Sequence, residues 1–317
     1  MYLPFYDLQE EPFRLTPDPR FLHLAEPHRV ALTALVQGVV LRKGFVMVTG
    51  PVGTGKTTLL HAALQILSDK SFANTVIRSA FLIHPTLSRD EFLEALLEEF
   101  EIPCASTSKP RRLTALHQLL LDAQRRGGTA VLLIDEAHLL STDLLEEIRL
   151  LSNTDTYREK LLQIILSGQP ELLTLLARPE LNALRQRIAS RCQLRALSLP
   201  EMRAYVAERL HAAGLRGPSP FPGPALEAIY HYTQAVPRLI NLVCDSCLEI
   251  GFNTKRRLIE PDIVEEAAAA LGLPETALAA PVKNPSSNGQ QPQAKAPRSA
   301  IDILIEAMRQ GRATAQE

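Results

Sequence analysis

Short apolar runs punctuate the first two thirds of this chain. Residues 45–49, 130–134 and 161–166 carry almost no polar side chain. Runs of that length without polar alternation suit strands buried on both faces. The same reading puts further strands near 75–83 and 193–197, with helices between them. Strands alternating with helices predict an α/β unit with a parallel five-stranded sheet covered on both sides. After Leu199-Pro200 the apolar residues recur at helical spacing, over 201–213, 224–233, 237–251 and 261–271. No strand interrupts them, so a small all-α unit follows the α/β unit.

The ends read differently. Residues 1–44 form an entry segment in which Phe5, Tyr6, Phe13 and Phe21 stand among prolines. It is expected to be an extended arm packed on the core, followed by a helix over about 28–42. The α/β core then occupies 45–199 and the helical unit 200–273. Residues 274–298 lack apolar mass and read as a disordered linker. Ser299 then caps a short helix over 299–313, with Ile301, Leu304, Ile305 and Met308 on one face.

Composition narrows the class without deciding it. A hydrophobic content of 46% suits a packed core, and a net charge of −1 provides no global field toward nucleic acid or anionic lipid. The basic clusters 109–112, 125–126 and 255–257 read as solvated loops. Cys244 and Cys247 form a C-x-x-C, but inside an apolar helical stretch with no second pair at zinc spacing. With Cys104 and Cys192 they read as small hydrophobes in a reducing, cytoplasmic setting. No signal peptide opens the sequence, and no run reaches transmembrane length. A cytoplasmic location follows, with peripheral attachment to the inner membrane only through a partner.

Chemistry enters at Gly50-Pro51-Val52-Gly53-Thr54-Gly55-Lys56-Thr57, followed by Thr58. The stretch fits G-x-x-x-x-G-K-[ST] and lies between a strand and a helix. Its backbone N–H groups would wrap a polyphosphate, and the helix N-terminus adds its dipole. Lys56 would reach the β- and γ-phosphates, and the Thr57 hydroxyl would ligate Mg²⁺. The apolar run 130–134 ends in Asp135-Glu136. At that strand end Asp135 would hold Mg²⁺ and Glu136 would polarise the attacking water, which points to ATP hydrolysis.

An α/β nucleotide core followed by a helical lid is the AAA+ P-loop NTPase layout. In that layout further polar positions acquire roles. Gln169, with Ser167 as second choice, would hold water or sense the γ-phosphate. Arg185, Arg187, Arg191 and Arg195 crowd the last strand. At least two of them are expected to pair with Glu or Asp in their own subunit. In a homo-oligomeric, hexameric ring one arginine would act on the neighbour's ATP; Arg191 is favoured, then Arg187. Arg238, at the start of a lid helix, would swing onto the γ-phosphate. His138 reads as strand-end packing, since one His has no metal partners at ligand spacing.

The chain resembles the ATPases of the general secretion pathway protein A family and their pilus- and exosortase-system relatives. The matching residues are Phe5-Tyr6, Pro12-Phe13, 15–22, Gly50 to Thr58, 134–137, 168–172 and 237–241. The resemblance implies an ATPase that drives assembly of an envelope or secretion complex. The partner would be an envelope or secretion-system protein, docked through the C-terminal helix. Family members often carry Gly where this chain has Ala235, so a shifted lid-helix start is expected. Secretion members continue into a transmembrane helix and a peptidoglycan-binding domain, and here the linker and short helix follow instead. Two other readings stand beside this one. The first is an ATP-dependent DNA-binding transposition regulator, which the net charge does not encourage. The second is an ATP-gated interaction switch.

Overall fold

The computed structural model describes residues 2–16, 21, 23–68, 76–83, 86–103, 106–154 and 159–274. The predicted C-terminal helix, and the linker beyond residue 274, lie outside the described residues. Five strands form one sheet: β1 (Phe45–Thr49), β2 (Ile77–Leu82), β3 (Thr129–Ile134), β4 (Leu162–Gly168) and β5 (Ile188–Gln193). Their order is β2-β3-β4-β1-β5, and every pairing is parallel. β1, β3 and β4 are buried at every position. These are the three strands with continuous apolar runs, as double-sided burial requires.

The fifth strand lies five residues earlier than the sequence suggests. β5 is an edge strand, and among its residues only Ile188 is fully buried. An edge strand has few side chains to bury, so its sequence, IASRCQ, carries no apolar run. Leu194 and Leu197 drew the expectation downstream. Both are buried, but in the connection to the lid, where the Leu197 N–H donates to the Ala235 carbonyl at 3.0 Å.

Among the described residues, seven α-helices belong to this part: α1 (Glu26–Val40), α2 (Lys56–Ser68), α3 (Arg89–Glu99), α4 (Lys109–Arg125), α5 (Thr142–Leu151), α6 (Glu171–Leu176) and α7 (Asn182–Arg187). Four more make the lid: α8 (Leu199–Ala212), α9 (Gly223–Thr233), α10 (Pro237–Asn253) and α11 (Pro261–Ala270). α8 opens with a capping box, Ser198 accepting from the Glu201 N–H while Glu201 accepts from the Ser198 N–H. Cys244 and Cys247 are buried in α10, and burial pushes the Cys247 thiol up to about 12. That agrees with their reading as small hydrophobes.

The N-terminal arm packs against the lid helices. Tyr2, Tyr6, Leu8, Phe13 and Phe21 join one apolar cluster with the lid helices. Phe13 meets Phe221 edge-to-face at 6.0 Å, and the Tyr2 hydroxyl donates to Asp245 on α10. A Cβ at Gly251 would overlap the Tyr6 hydroxyl. The physical reason is size. Four short helices bury too little apolar surface alone, and the arm completes their core.

Candidate nucleotide site

The glycine loop connects β1 to α2, at the C-terminal edge of the sheet. Gly53 has φ +78°, and a Cβ there would come within 2.8 Å of the Arg238 Cβ. Only glycine allows both that backbone and that approach. The Arg238 N–H donates to the Gly53 carbonyl at 3.1 Å, so the lid helix α10 starts directly against the loop. That start is at Pro237. Ala235 takes a left-handed φ of 52° and is fully buried.

Lys56 is buried and turned onto the loop, donating to the carbonyls of Gly50 at 2.9 Å and Pro51 at 3.1 Å. Burial lowers its pKa, and the carboxylates of Glu136, Asp135 and Glu171 oppose that shift. Asp135, at the end of β3, is buried but fully partnered. It accepts from the Thr57 hydroxyl at 2.5 Å, the Ser167 hydroxyl at 2.7 Å and the Glu136 N–H at 3.0 Å. Three donors fix the carboxylate in place. The hydroxyl of Ser167, the second choice for holding water, thus spends its proton on Asp135. The Thr57 hydroxyl and the Asp135 carboxylate, side by side beneath the loop, are the hard oxygen donors that Mg²⁺ prefers.

Glu136 lines the same cleft in a left-handed conformation, φ 52°. Gln169 follows β4, and its side-chain amide meets His138 Nε2 at 3.0 Å. His138 is therefore more than packing, since its ring also lies 3.3 Å from Glu136.

The four arginines separate. Arg187 donates to the Arg149 carbonyl at 3.2 Å and the Ser152 hydroxyl at 2.8 Å. Arg195 makes a two-pronged pair with Glu201 at 2.7 and 3.1 Å, which holds the Glu201 carboxyl down at about 2. Arg185 and Arg191 are exposed, and Arg191 donates to the Arg185 carbonyl at 2.8 Å. Among the described residues Arg195 alone of the four forms an ion pair, so the expectation of at least two carboxylate pairs is corrected. The reason is that α7 approaches α5 through a backbone carbonyl and a serine, not an acid.

The cleft, of about 200 Å³, is bounded by the loop, by Arg14, Leu15, Thr16 and Phe21 of the arm, and by lid residues. Several of its residues had no sequence signal. Arg209 on α8 is buried over the Phe21 ring and donates to the Pro12 carbonyl at 2.6 Å and the Tyr205 hydroxyl at 3.1 Å. Tyr205 in turn donates to Asn241 at 2.8 Å. His28 on α1 is also buried, and its Nε2 lies 2.8 Å from the Thr54 carbonyl. A carbonyl only accepts, so Nε2 carries the proton and braces the loop. Burial lowers the His28 pKa and favours this neutral ring. Apart from Arg209–Tyr205, one turn apart on α8, these contacts join residues 26 to 197 positions apart, and no local spacing announces them. A second hollow, of about 310 Å³ beside β2, lies away from this chemistry.

A phosphate loop, an acidic strand end and a lid over a parallel sheet define the AAA+ P-loop NTPase fold. The AAA domain family matches residues 40–176. The fold recurs in the Aeropyrum pernix ORC2 protein, with TM-score 0.64, 17% identity and coverage of 82% of this chain and 71% of that one. It recurs in Drosophila ORC bound to DNA, with TM-score 0.66, 18% identity and coverage of 86% and 67%. In the Thermotoga maritima RuvB Holliday junction branch migration motor the values are 0.52, 20%, 82% and 73%. These likenesses concern the fold, and the fold implies nucleotide binding.

Within that class, the chain is similar to General secretion pathway protein A of Aeromonas hydrophila. The two are 38% identical over 275 residues, 86% of this chain and 49% of that protein. The chain thus spans about half the length of the curated relative it matches. No described helix is long and apolar enough to cross a membrane.

Proposed function

We propose that this protein binds ATP with Mg²⁺ and hydrolyses it at the interfaces of a homo-oligomeric, hexameric ring. The turnover drives assembly or remodelling of an envelope or secretion complex. The observation that carries the reading is the convergence of Lys56, Thr57, Asp135 and Glu136 in one cleft under a glycine loop. Gly50 to Thr58 cradle the polyphosphate through backbone N–H groups. Lys56 leaves the loop carbonyls for the β- and γ-phosphates, and its buried charge gains a partner. Thr57 and Asp135 would hold Mg²⁺, which offsets charge on the transferred phosphoryl group. Glu136 takes the proton of the attacking water, Gln169 senses the γ-phosphate, and Arg238 follows the lid. Arg191 is the cation offered to the neighbouring subunit, because it is exposed, whereas Arg187 is held inside its own subunit.

The secretion role is proposed from the likeness to General secretion pathway protein A, with an envelope protein as partner and a cytoplasmic location. The described residues contain no group of His, Cys, Asp and Glu suited to another metal. Lys56→Ala should abolish tight ATP binding, while Glu136→Gln should bind ATP normally and stop turnover. Nucleotide affinity and phosphate release measured on both decide this. Normal turnover by the Glu136→Gln protein would refute the assignment.

A further inference from the structure

Glu136 has a neighbour that the reading above leaves unused. One carboxylate oxygen, Oε2, is sealed from solvent and makes no well-formed hydrogen bond. It lies 3.3 Å from His138 Nδ1. Hydrogen bonds of catalytic groups are often long without substrate and tighten when it binds. The opposite ring nitrogen, His138 Nε2, lies 3.0 Å from Gln169 Nε2. The ring sits in the short turn 137–139, whose backbone is fixed against β4: a Cβ at Gly168 would come within 3.1 Å of the His138 nitrogen.

A neutral imidazole has one donor and one acceptor nitrogen. An amide nitrogen only donates, so the Gln169 amide makes Nε2 the acceptor. The ring proton then sits on Nδ1, the nitrogen facing Glu136. We propose that His138 is a positioning residue, the middle of a chain Gln169–His138–Glu136. Gln169 fixes the ring tautomer. His138 Nδ1–H holds Glu136 Oε2, so that the other oxygen faces the attacking water. A base oriented by a second group is a common requirement of proton abstraction. The Gln169 backbone N–H lies 3.4 Å from Nδ1. As a donor it calls for the opposite tautomer, with the proton on Nε2 and the Gln169 amide turned over, but at 3.4 Å it is the weaker contact beside 3.0 Å at Nε2.

The inference rests on the ATPase reading, and two measurements on the full chain test it. The first is ¹⁵N NMR of histidine-labelled protein without nucleotide, with the His138 signal assigned by its loss in His138→Gln. A proton on Nδ1 is expected, and a proton on Nε2 overturns the proposal. The second is kinetic. His138→Phe keeps a ring but removes the donor. It should lower kcat by about tenfold to a hundredfold, the scale of a misplaced reacting group, with ATP affinity within about twofold of normal. His138→Gln, whose amide can donate to Oε2, should recover part of the loss. Unchanged kcat, or a loss confined to ATP affinity, would each overturn it. Wild-type protein without turnover would refute the ATPase reading itself. Turnover that Glu136→Gln abolishes and His138→Phe leaves intact would refute only the role of His138.

Discussion

Gln234 ends α9 in a left-handed conformation, φ 47°, with its side chain exposed. Glycine adopts that conformation without a Cβ penalty, and helices favour it there. Gln234→Gly should therefore raise stability by about 0.5–1 kcal/mol, or roughly 2–4 °C in Tm. Thermal unfolding would show it, and a lower Tm would mean that the Gln234 amide on the His231 carbonyl outweighs the strain. Buried Ala235 beside it is a poorer target, since its methyl would be lost from the core. At this scale the sequence was uneven. Lys56, Thr57, Asp135 and Glu136 were legible because phosphate binding demands fixed spacing along one strand and one turn. His28 and Arg209 were silent, because each acts on a backbone carbonyl, and any sequence supplies carbonyls.

Among the elements, the arm is one whose packing was expected but whose partner was not. Aromatics among prolines announced packing but not against what. Phe13 is 2% exposed and sits against Phe221 of the lid. Phe13→Ala should cost about 3–5 kcal/mol, the range for emptying a buried aromatic site. Denaturant unfolding tests this, with Phe5→Ala, at the partly buried edge of the same cluster, costing less. An unchanged midpoint for Phe13→Ala would mean that the arm adds nothing to the lid core. β5 was misplaced for a related reason. Apolar runs mark strands covered on both faces, and an edge strand carrying exposed Arg191 has no such run.

For the whole molecule, the proposed ring makes the site half of an interface. Arg191→Ala should leave ATP binding intact but lower turnover by about 10³-fold, as expected for an arginine acting across subunits. Mixing Arg191→Ala with Lys56→Ala should restore part of the activity, because some interfaces then join an intact loop to an intact arginine. No recovery at any ratio, in subunits shown to mix, would place Arg191 in cis. Duplex DNA binding should be weak and non-specific at physiological salt, given the net charge of −1. Filaments on DNA seen by electron microscopy would favour the transposition reading. The strand order has one more consequence, for biosynthesis. β1, which carries the glycine loop, lies between β4 and β5, made more than a hundred residues later. Tyr2 waits longer still, for Asp245. On the ribosome the loop therefore emerges without either neighbour, and the nascent chain stays nucleotide-blind until most of it has been translated.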